Sequence, residues 1–291
     1  MALSEQLTAW YQNGNTFNFG EFPIFYKDEG QGDILLCLHG FPTASWDWVH
    51  IWQELTARFR VIAPDMIGYG YSAKPRGHNY SIGEQADMHE ALLTHLNIDS
   101  FHILAHDYGD TVTQELLARH LENPAYDIKS VCLLNGGLFP ETHRPRPIQN
   151  LLLVPVLGSI ITLFYNRNTF GKQFSEIFGA NTQPTSDELD EFWHLISHDT
   201  GQRVINKLIH YIPERVKYRE RWVGALQKTE IPLKVINGVD DPVSGGHMVD
   251  RLLELIPETN ITRLEGIGHY PQVEAPEATL KAYFEFLDKL D

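Results

Sequence analysis

The sequence predicts an α/β fold in which a mostly parallel β-sheet is flanked by helices and carries an inserted helical cap. Along most of the chain, short and almost wholly apolar runs alternate with longer segments of helical periodicity. This alternation is typical of strands that are buried on both faces of a sheet. It stops after Leu134 and resumes at Ile231, and the residues between have helical patterns without a clear strand.

The individual elements follow in chain order. The first segment, 17–29, is expected to form antiparallel edge strands. Near-continuous apolar runs predict buried strands, and apolar positions at helical spacing predict helices between them. Because strands joined through helices are parallel with right-handed crossovers, we expect a parallel sheet. The predicted strands are 34–38, 60–63, 101–105, 130–134, 233–237 and 261–264, and the predicted helices are 46–57, 82–96, 109–121, 246–256 and 274–290.

The interruption of this pattern predicts how the chain is divided. Residues 1–137 are expected to form the first part of an α/β core, and residues 227–291 the second part. Residues 138–226, rich in His, Trp, Tyr and Phe, are expected to form a helical cap. Such an insertion should fold over the carboxyl ends of the strands, where ligands bind in open α/β sheets.

Charge and cysteine content exclude several classes of protein. The 291 residues carry 23 Lys+Arg and 38 Asp+Glu, a formal charge of −15. This argues against a nucleic-acid partner and against an anionic membrane. The two cysteines, Cys37 and Cys132, lie in apolar runs and make no disulfide framework or metal cage. Since no basic-then-apolar leader is visible and the apolar stretch 151–165 is short and interrupted, we expect a cytoplasmic protein. No metal or cofactor is expected.

The strongest chemical signal is the run Ala105-His106-Asp107-Tyr108-Gly109. An apolar strand leads through small-x-Asp-x-Gly into a helix, which is the layout of a nucleophile elbow. At such an elbow a sharp turn exposes one side chain above the sheet, and here that side chain is a carboxylate. Asp107 is therefore the predicted nucleophile, although an aspartate there would also suit a simple helix N-cap.

Other segments at strand ends supply its partners. The run His39-Gly40-Phe41-Pro42 ends the first buried strand, and the backbone N–H groups of Phe41 and Tyr108 are expected to form an oxyanion hole. His39 and Trp46 are predicted to line the substrate pocket.

A carboxylate and a histidine complete the predicted catalytic set. Asp240 and Asp241 follow strand 233–237, and we choose Asp241 because it lies directly before a proline turn. His269 lies in a Gly-flanked loop after the last strand. The chain order of nucleophile, acid and histidine is the order that a hydrolase elbow requires. His269 is predicted to act as general base and Asp241 to orient it. Asn135 ends its strand where a catalytic acid could lie, but an amide cannot carry the charge.

These motifs identify a family resemblance. Over nearly its whole length the chain resembles the α/β-hydrolase superfamily, in the branch with an aspartate nucleophile that includes epoxide hydrolases and haloalkane dehalogenases. Residues 106–110, 135–145 and 221–226 most closely resemble the mesoderm-specific transcript proteins. That family is similar to epoxide hydrolases. The chain lacks the apolar N-terminal segment of its membrane-anchored members, which favours a soluble protein.

The nucleophile type indicates the substrate. Attack by a carboxylate on an acyl carbon would give a reactive anhydride, whereas attack on a saturated carbon gives a stable ester. The substrate should therefore be a small apolar molecule with an epoxide C–O or a carbon–halogen bond. We predict an epoxide hydrolase that forms an Asp107 alkyl ester, which a water activated by His269 then hydrolyses.

An epoxide leaves as an alkoxide and needs an O–H donor, which a neutral tyrosine supplies. The segment 208–215 resembles the part of epoxide hydrolases that carries the ring-opening tyrosine, so Tyr211 is the predicted donor. Tyr165 is the candidate second donor, with Tyr218 as the fallback. Each of them would equally suit packing with its hydroxyl in solvent.

Two other functions stay open. A haloalkane dehalogenase would use the same nucleophile, but such enzymes resemble one another in having Trp after it and Asn in the first loop, where this chain has Tyr108 and Phe41. A non-catalytic ligand-binding or regulatory protein on the same scaffold is the alternative from another class, and the intact Asp107, Asp241 and His269 set argues against it.

Overall fold

The sheet confirms the predicted fold class. In the computed structural model, which describes residues 3–290, eight strands lie in the order β1-β2-β4-β3-β5-β6-β7-β8. β1 and β2 pair antiparallel at one edge, β2 pairs antiparallel with β4, and all other pairs are parallel. The strands are β1 Asn15–Phe19, β2 Phe22–Glu29, β3 Ile34–Leu38, β4 Arg60–Pro64, β5 Ser100–His106, β6 Asp127–Leu134, β7 Leu233–Gly238 and β8 Asn260–Leu264.

Helices cover both faces of the sheet and fill the segment between β6 and β7. The α-helices are α1 Glu5–Gln12, α2 Trp52–Arg58, α3 Ile82–His95, α4 Tyr108–Glu122, α5 Pro147–Leu152, α6 Leu157–Phe164, α7 Arg167–Ser175, α8 Ser186–Ser197, α9 Ile205–Leu208, α10 Tyr211–Lys217, α11 Arg219–Lys228, α12 Gly246–Leu255, α13 Pro271–Glu274 and α14 Pro276–Leu287. Short 3₁₀ helices span Ser45–Trp48, Pro140–Thr142 and His198–Arg203. Among residues 3–290, no helix has the length and apolar character needed to cross a membrane.

Two predicted helices have different bounds in the structure. The segment predicted as 46–57 begins with the 3₁₀ turn Ser45–Trp48, and α2 starts only at Trp52. The helix predicted as 274–290 is α14, which starts at Pro276 and ends at Leu287, and the short helix α13 precedes it. Proline lacks the N–H that would continue the hydrogen bonds of the first helix, so a new helix begins there.

The last helix of the expected cap lies on the core. In α11, Arg221 Nε and Trp222 Nε1 donate to Glu115 Oε2 of α4 at 2.7 and 2.8 Å. Both Trp222 and the neighbouring Leu226 are buried. The helices that cover the ends of the strands are therefore those before α11.

The parallel register brings five loops together. In the paired strands Leu38 of β3 lies opposite Ala105 of β5, and Ala105 lies opposite Leu133 of β6. These residues are fully buried and lie within one residue of the ends of their strands, at the same edge of the sheet. The loops after β3, β5, β6, β7 and β8 therefore converge under the cap helices, and they carry the predicted catalytic residues.

Candidate active site

The turn after β5 has the backbone of a nucleophile elbow. Asp107 lies between β5 and α4 with φ 45° and ψ −99°, a conformation that L-residues rarely adopt and that costs free energy. The turn is also crowded, because a Cβ on Gly109 would lie 2.3 Å from the Leu38 carbonyl oxygen. This crowding explains why glycine occupies the second position after the strained aspartate.

The Asp107 carboxylate is held on two sides. Its Oδ2 accepts a hydrogen bond from the Phe41 N–H at 3.2 Å. Tyr108 is the first residue of α4, so its N–H belongs to the helix start, where amides lack intrahelical acceptors. On the other side Arg215 Nη2 of α10 lies 3.5 Å from Asp107 Oδ1 and donates to the Asp107 carbonyl oxygen at 3.2 Å. Arg215 Nε donates to Thr111 Oγ1 at 2.7 Å.

His269 lies between two carboxylates. Its Nδ1 is 2.7 Å from Asp241 Oδ2, and its Nε2 is 3.9 Å from Asp107 Oδ2. Asp240, which we did not choose at the sequence level, is exposed. The imidazole of His269 therefore lies between Asp107, the predicted nucleophile, and Asp241, the carboxylate predicted to orient it.

Asp241 is fixed by several donors from its own strand end and from β6. Asn135 Nδ2 donates to Oδ2 at 3.0 Å, and the backbone N–H of Val243 donates to Oδ1 at 2.7 Å. The Ser244 hydroxyl lies 2.9 Å from Oδ2. Asn135, whose amide cannot itself serve as the acid, thus helps to hold Asp241 in place.

The loop that carries His269 is clamped by Glu274. Its Oε2 accepts from the Gly268 N–H at 2.8 Å and its Oε1 from the Tyr270 N–H at 2.9 Å. The same Oε2 accepts from the Gly179 N–H of the cap at 2.7 Å. From the other side His106 Nε2 donates to the His269 carbonyl oxygen at 2.9 Å. The backbone on both sides of the imidazole is therefore held.

The charges of four buried side chains, those of Asp107, Asp241, His269 and Arg215, balance one another. Burial opposes ionisation of Asp107, but His269 and Arg215 outweigh it and hold the pKa of its carboxyl well below the usual range. Burial likewise opposes ionisation of Asp241, and His269 with neighbouring donors lowers its pKa. Burial lowers the pKa of His269, but Asp241 and Asp107 outweigh burial and raise it to about 10. With Arg215 charged, the site holds two anions and two cations at neutral pH.

A cavity of about 550 Å³ opens above Asp107 between the core and the cap. Asp107 and His269 lie in its wall, and most of the remaining wall is apolar, including Phe41, Leu152 and Phe174. Its size suits a small organic ligand. The strand-end groups therefore face a largely apolar chamber.

Both candidate tyrosines reach this cavity from the cap. The Tyr211 ring packs 5.0 Å from that of Tyr108. Burial, with a contribution from Asp107, raises the pKa of Tyr211 well above its usual range, so its hydroxyl keeps its proton. The Tyr165 hydroxyl donates to Gln173 Oε1 at 3.1 Å.

Comparison with known proteins places this site in a family. The sequence model of the α/β-hydrolase fold matches residues 33–276. This chain belongs to the α/β-hydrolase family. The mesoderm-specific transcript protein of Mus musculus is 44% identical to this hydrolase, covering 98% of this chain and 89% of that protein. The putative hydrolase LipZ of Mycobacterium tuberculosis is 36% identical, covering 98% of this chain and 99% of LipZ. The resemblance inferred from the motifs is confirmed.

Solved structures agree on the fold. Haloalkane dehalogenase DbeA from Bradyrhizobium elkani matches this hydrolase with a TM-score of 0.79 and 20% identity, covering 95% of this chain and 98% of that chain. The epoxide hydrolase CorEH matches with a TM-score of 0.74 and 18% identity, covering 96% and 99%. At these identities the likeness establishes the α/β-hydrolase scaffold.

Two predicted pocket residues of this hydrolase do not line the cavity, and that prediction is corrected. His39 is fully buried, and its Nε2 accepts a hydrogen bond from the Met66 N–H at 3.0 Å. Trp46 is buried against Trp10, with ring centroids 5.2 Å apart. Both side chains are buried in the core. The fallback Tyr218 packs 5.3 Å from Trp222 and is also absent from the cavity wall.

Sequence reasoning missed two residues that contact the candidate site, Arg215 and Glu274. Arg215 is four residues after Tyr211, and residues at that spacing share a helix face. A cap helix that turns Tyr211 towards the nucleophile therefore turns Arg215 the same way, which is a signal that the sequence carried. Glu274 had no comparable signal, because its contacts with Gly179 and Gly268 depend on how the cap meets the last loop.

The histidines of the cap are not arranged for metal binding. His194 and His198 pack beside Tyr71, with ring centroids 6.1 and 4.9 Å away. In the part of the chain that the structure describes, no group of three or more His, Cys, Asp or Glu side chains is placed to hold a metal ion.

Proposed function

We propose that this hydrolase opens small apolar epoxides to vicinal diols through a covalent alkyl ester on Asp107. The observation that carries the proposal is the carboxylate at the elbow, which faces an apolar cavity together with a buried, protonated tyrosine. A carboxylate nucleophile suits a saturated carbon, and a neutral phenol suits an alkoxide leaving group. Epoxide opening is the reaction that uses both groups.

The first step uses the ionised nucleophile. One oxygen of Asp107 attacks an epoxide carbon, and the C–O bond breaks. The alkoxide takes the proton of the Tyr211 hydroxyl. The resulting tyrosinate regains a proton from protonated His269 through water, which leaves the imidazole neutral. The pair of Asp107 and His269 charges is consumed in this step, while the ester and the free hydroxyl of the product are formed.

The second step uses the neutral imidazole. The ester carries no charge, so the attraction that raises the pKa of His269 falls and the imidazole can act as a base. His269 takes a proton from water, and the hydroxide attacks the ester carbonyl carbon. The oxyanion is stabilised by the Phe41 and Tyr108 N–H groups. Collapse releases the diol and restores the carboxylate opposite a protonated His269.

A trapped intermediate tests the proposal. A His269→Gln variant incubated with styrene oxide should gain the whole mass of the epoxide, and peptide mapping should locate the gain on Asp107. The matched double variant Asp107→Asn/His269→Gln should gain nothing. Absence of an adduct across a broad epoxide set, with the variant folded, would remove the epoxide assignment.

Measurements of halide release, epoxide turnover and ligand binding separate the two other functions. Halide release from bromoalkanes without epoxide turnover would instead favour a haloalkane dehalogenase. Tight ligand binding with neither turnover nor adduct would favour a non-catalytic ligand-binding protein. We expect little halide release, because Tyr108 lies directly after the proposed nucleophile. A halide is better stabilised by weak N–H donors than by the phenol of a tyrosine.

A further inference from the structure

One segment of the cap differs in charge from the rest of the chain. Residues 142–175 contain no Asp or Glu, whereas the whole sequence has a net charge of −15. The same segment has four cationic side chains, two near its start and two near its end: Arg144, Arg146, Arg167 and Lys172. This part of the cap is therefore a cationic region on an acidic protein, and the argument from net charge against an anionic membrane does not apply to it.

The segment also exposes a cluster of large apolar side chains, which we call the apolar cap face. Val156 and Phe164 are the most exposed large apolar residues of the described chain, at 73% and 74%. The apolar cap face consists of Leu151, Val154, Val156, Leu157, Ile160, Leu163 and Phe164.

The periodicity of α6 shows that this exposure belongs to one side of a helix. Leu157, Ile160 and Phe164 recur at helical spacing and are exposed, whereas Gly158 and Thr162 on the opposite side are buried. A helix that is apolar on all sides is normally enclosed by protein or lipid. The inner side of α6 is covered by the molecule itself, and the outer side lacks a cover.

The apolar cap face is continuous in the chain with residues of the cavity wall. Ile148 and Leu152 of α5 line the cavity, and the adjacent Leu151 is exposed. Tyr165 lines the cavity directly after the exposed Phe164. The same segments of the cap therefore contribute to the wall of the chamber above Asp107 and carry the apolar cap face.

Two of the four cations are available to an external anion. Arg146 and Arg167 pair with Glu176 and Asp190 at 2.6 and 2.5 Å. Arg144 and Lys172 are exposed, and within residues 3–290 they form no ion pair.

We infer that the apolar cap face docks on the surface of an anionic lipid bilayer, with Arg144 and Lys172 against lipid phosphates. An interfacial helix buries its apolar side at the boundary of headgroups and acyl chains, and adjacent cations strengthen binding to anionic lipid. A second copy of this chain fits less well, because a two-fold contact would bring the same cations together. The inference does not depend on the reaction at Asp107.

Vesicle sedimentation tests the docking directly. The full chain is mixed with vesicles of phosphatidylcholine, or of phosphatidylcholine with about one-third phosphatidylserine, and the bound fraction is measured at low and high salt. We expect binding to the anionic vesicles that weakens with salt. Ile160→Glu/Phe164→Glu should weaken it at least about tenfold, since two apolar side chains no longer enter the lipid.

Matched variants separate the apolar and charged contributions. Leu121→Glu/Leu253→Glu adds the same charges at exposed leucines of α4 and α12 and should keep the binding. Arg144→Gln/Lys172→Gln should weaken binding about tenfold, at roughly 1 kcal/mol per cation. Circular dichroism checks that each variant is folded. The salt dependence of wild-type binding tests the charged contribution without any substitution.

Several results would overturn the inference. The wild type could fail to bind vesicles, or could bind neutral and anionic vesicles equally. The variant Ile160→Glu/Phe164→Glu could also retain the binding of the wild type. A wild-type dimer in sedimentation velocity that this variant dissociates would assign the apolar cap face to a second copy instead. Epoxide turnover is measured separately, so failure of docking leaves the proposed reaction untouched, and the reverse also holds.

Discussion

Replacing Asp107 with asparagine should lower the pKa of His269, because it removes the charge that ester formation also removes. The His269 Nε2 and Asp107 Oδ2 atoms are 3.9 Å apart. Two unit charges at that distance attract by about 4 kcal/mol at an effective dielectric constant of 20. Since about 1.4 kcal/mol corresponds to one pKa unit, Asp107→Asn should lower the pKa of His269 from about 10 to about 7.

The expected fall in the pKa of His269 follows from the effect of the Asp107 charge on the two forms of the imidazole. A neighbouring anion stabilises the imidazolium, so its loss favours the neutral imidazole and the titration midpoint falls. The measurement is an NMR titration of the ring Cε1–H resonances. The His269 resonance is identified among the 14 histidines by its absence in His269→Gln.

A neighbouring carboxylate provides the control. Asp240→Asn removes an exposed charge one residue before Asp241 and should leave the pKa of His269 near that of the wild type. If Asp107→Asn leaves the His269 pKa within about one unit of the wild type, the two groups are not coupled. Ester formation could then not convert His269 from an acid into a base, and the two-step proton account would be wrong.

Three further outcomes are expected. Tyr211→Phe should slow epoxide opening by about a hundredfold or more, and Tyr165→Phe by less, because the Tyr165 hydroxyl already donates to another side chain; equal losses in single-turnover kinetics would contradict these roles. Glu274→Gln should lower the free energy of unfolding by about 2 kcal/mol, because a carboxylate acceptor for several N–H groups is lost, and an unchanged urea midpoint would refute this. Arg215→Met should destabilise the protein by about 3 kcal/mol, since the buried Asp107 carboxylate loses a cation. That loss should be smaller in an Asp107→Asn background, and additive losses would show that the two side chains are not coupled.

The proximity of the predicted catalytic residues could be inferred from the sequence because chain order determines where each strand-end loop of a parallel sheet lies. Parallel strands end at one edge of the sheet, so Asp107, Asp241 and His269 at successive strand ends had to converge. Their residue types and order are the basis of the proposed chemistry. The structure adds the distances and shows that Asn135, excluded as an acid, donates to Asp241.

The prediction that His39 and Trp46 line the pocket was wrong because proximity in the chain does not fix the direction of a side chain. Both residues lie close to Phe41 in sequence, but their side chains pack in the core and not against the cavity. Arg215 and Glu274 act across the boundary between cap and core, and such contacts depend on how an irregular insertion packs. No periodicity in the sequence fixes that packing.

The contact between Arg215 and Asp107 gives the cap a role beyond covering the cavity. An ionised carboxylate in an apolar chamber is costly unless it is paired. At rest Asp107 and Asp241 balance His269 and Arg215. In the proposed ester state Asp107 and His269 are both neutral, so Asp241 and Arg215 remain as one anion and one cation. The buried site is therefore neutral in both states, and the cation that makes this possible is contributed by α10 of the cap. Because that cation lies against the nucleophile, movement of the cap away from the core would remove a charge that keeps Asp107 ionised.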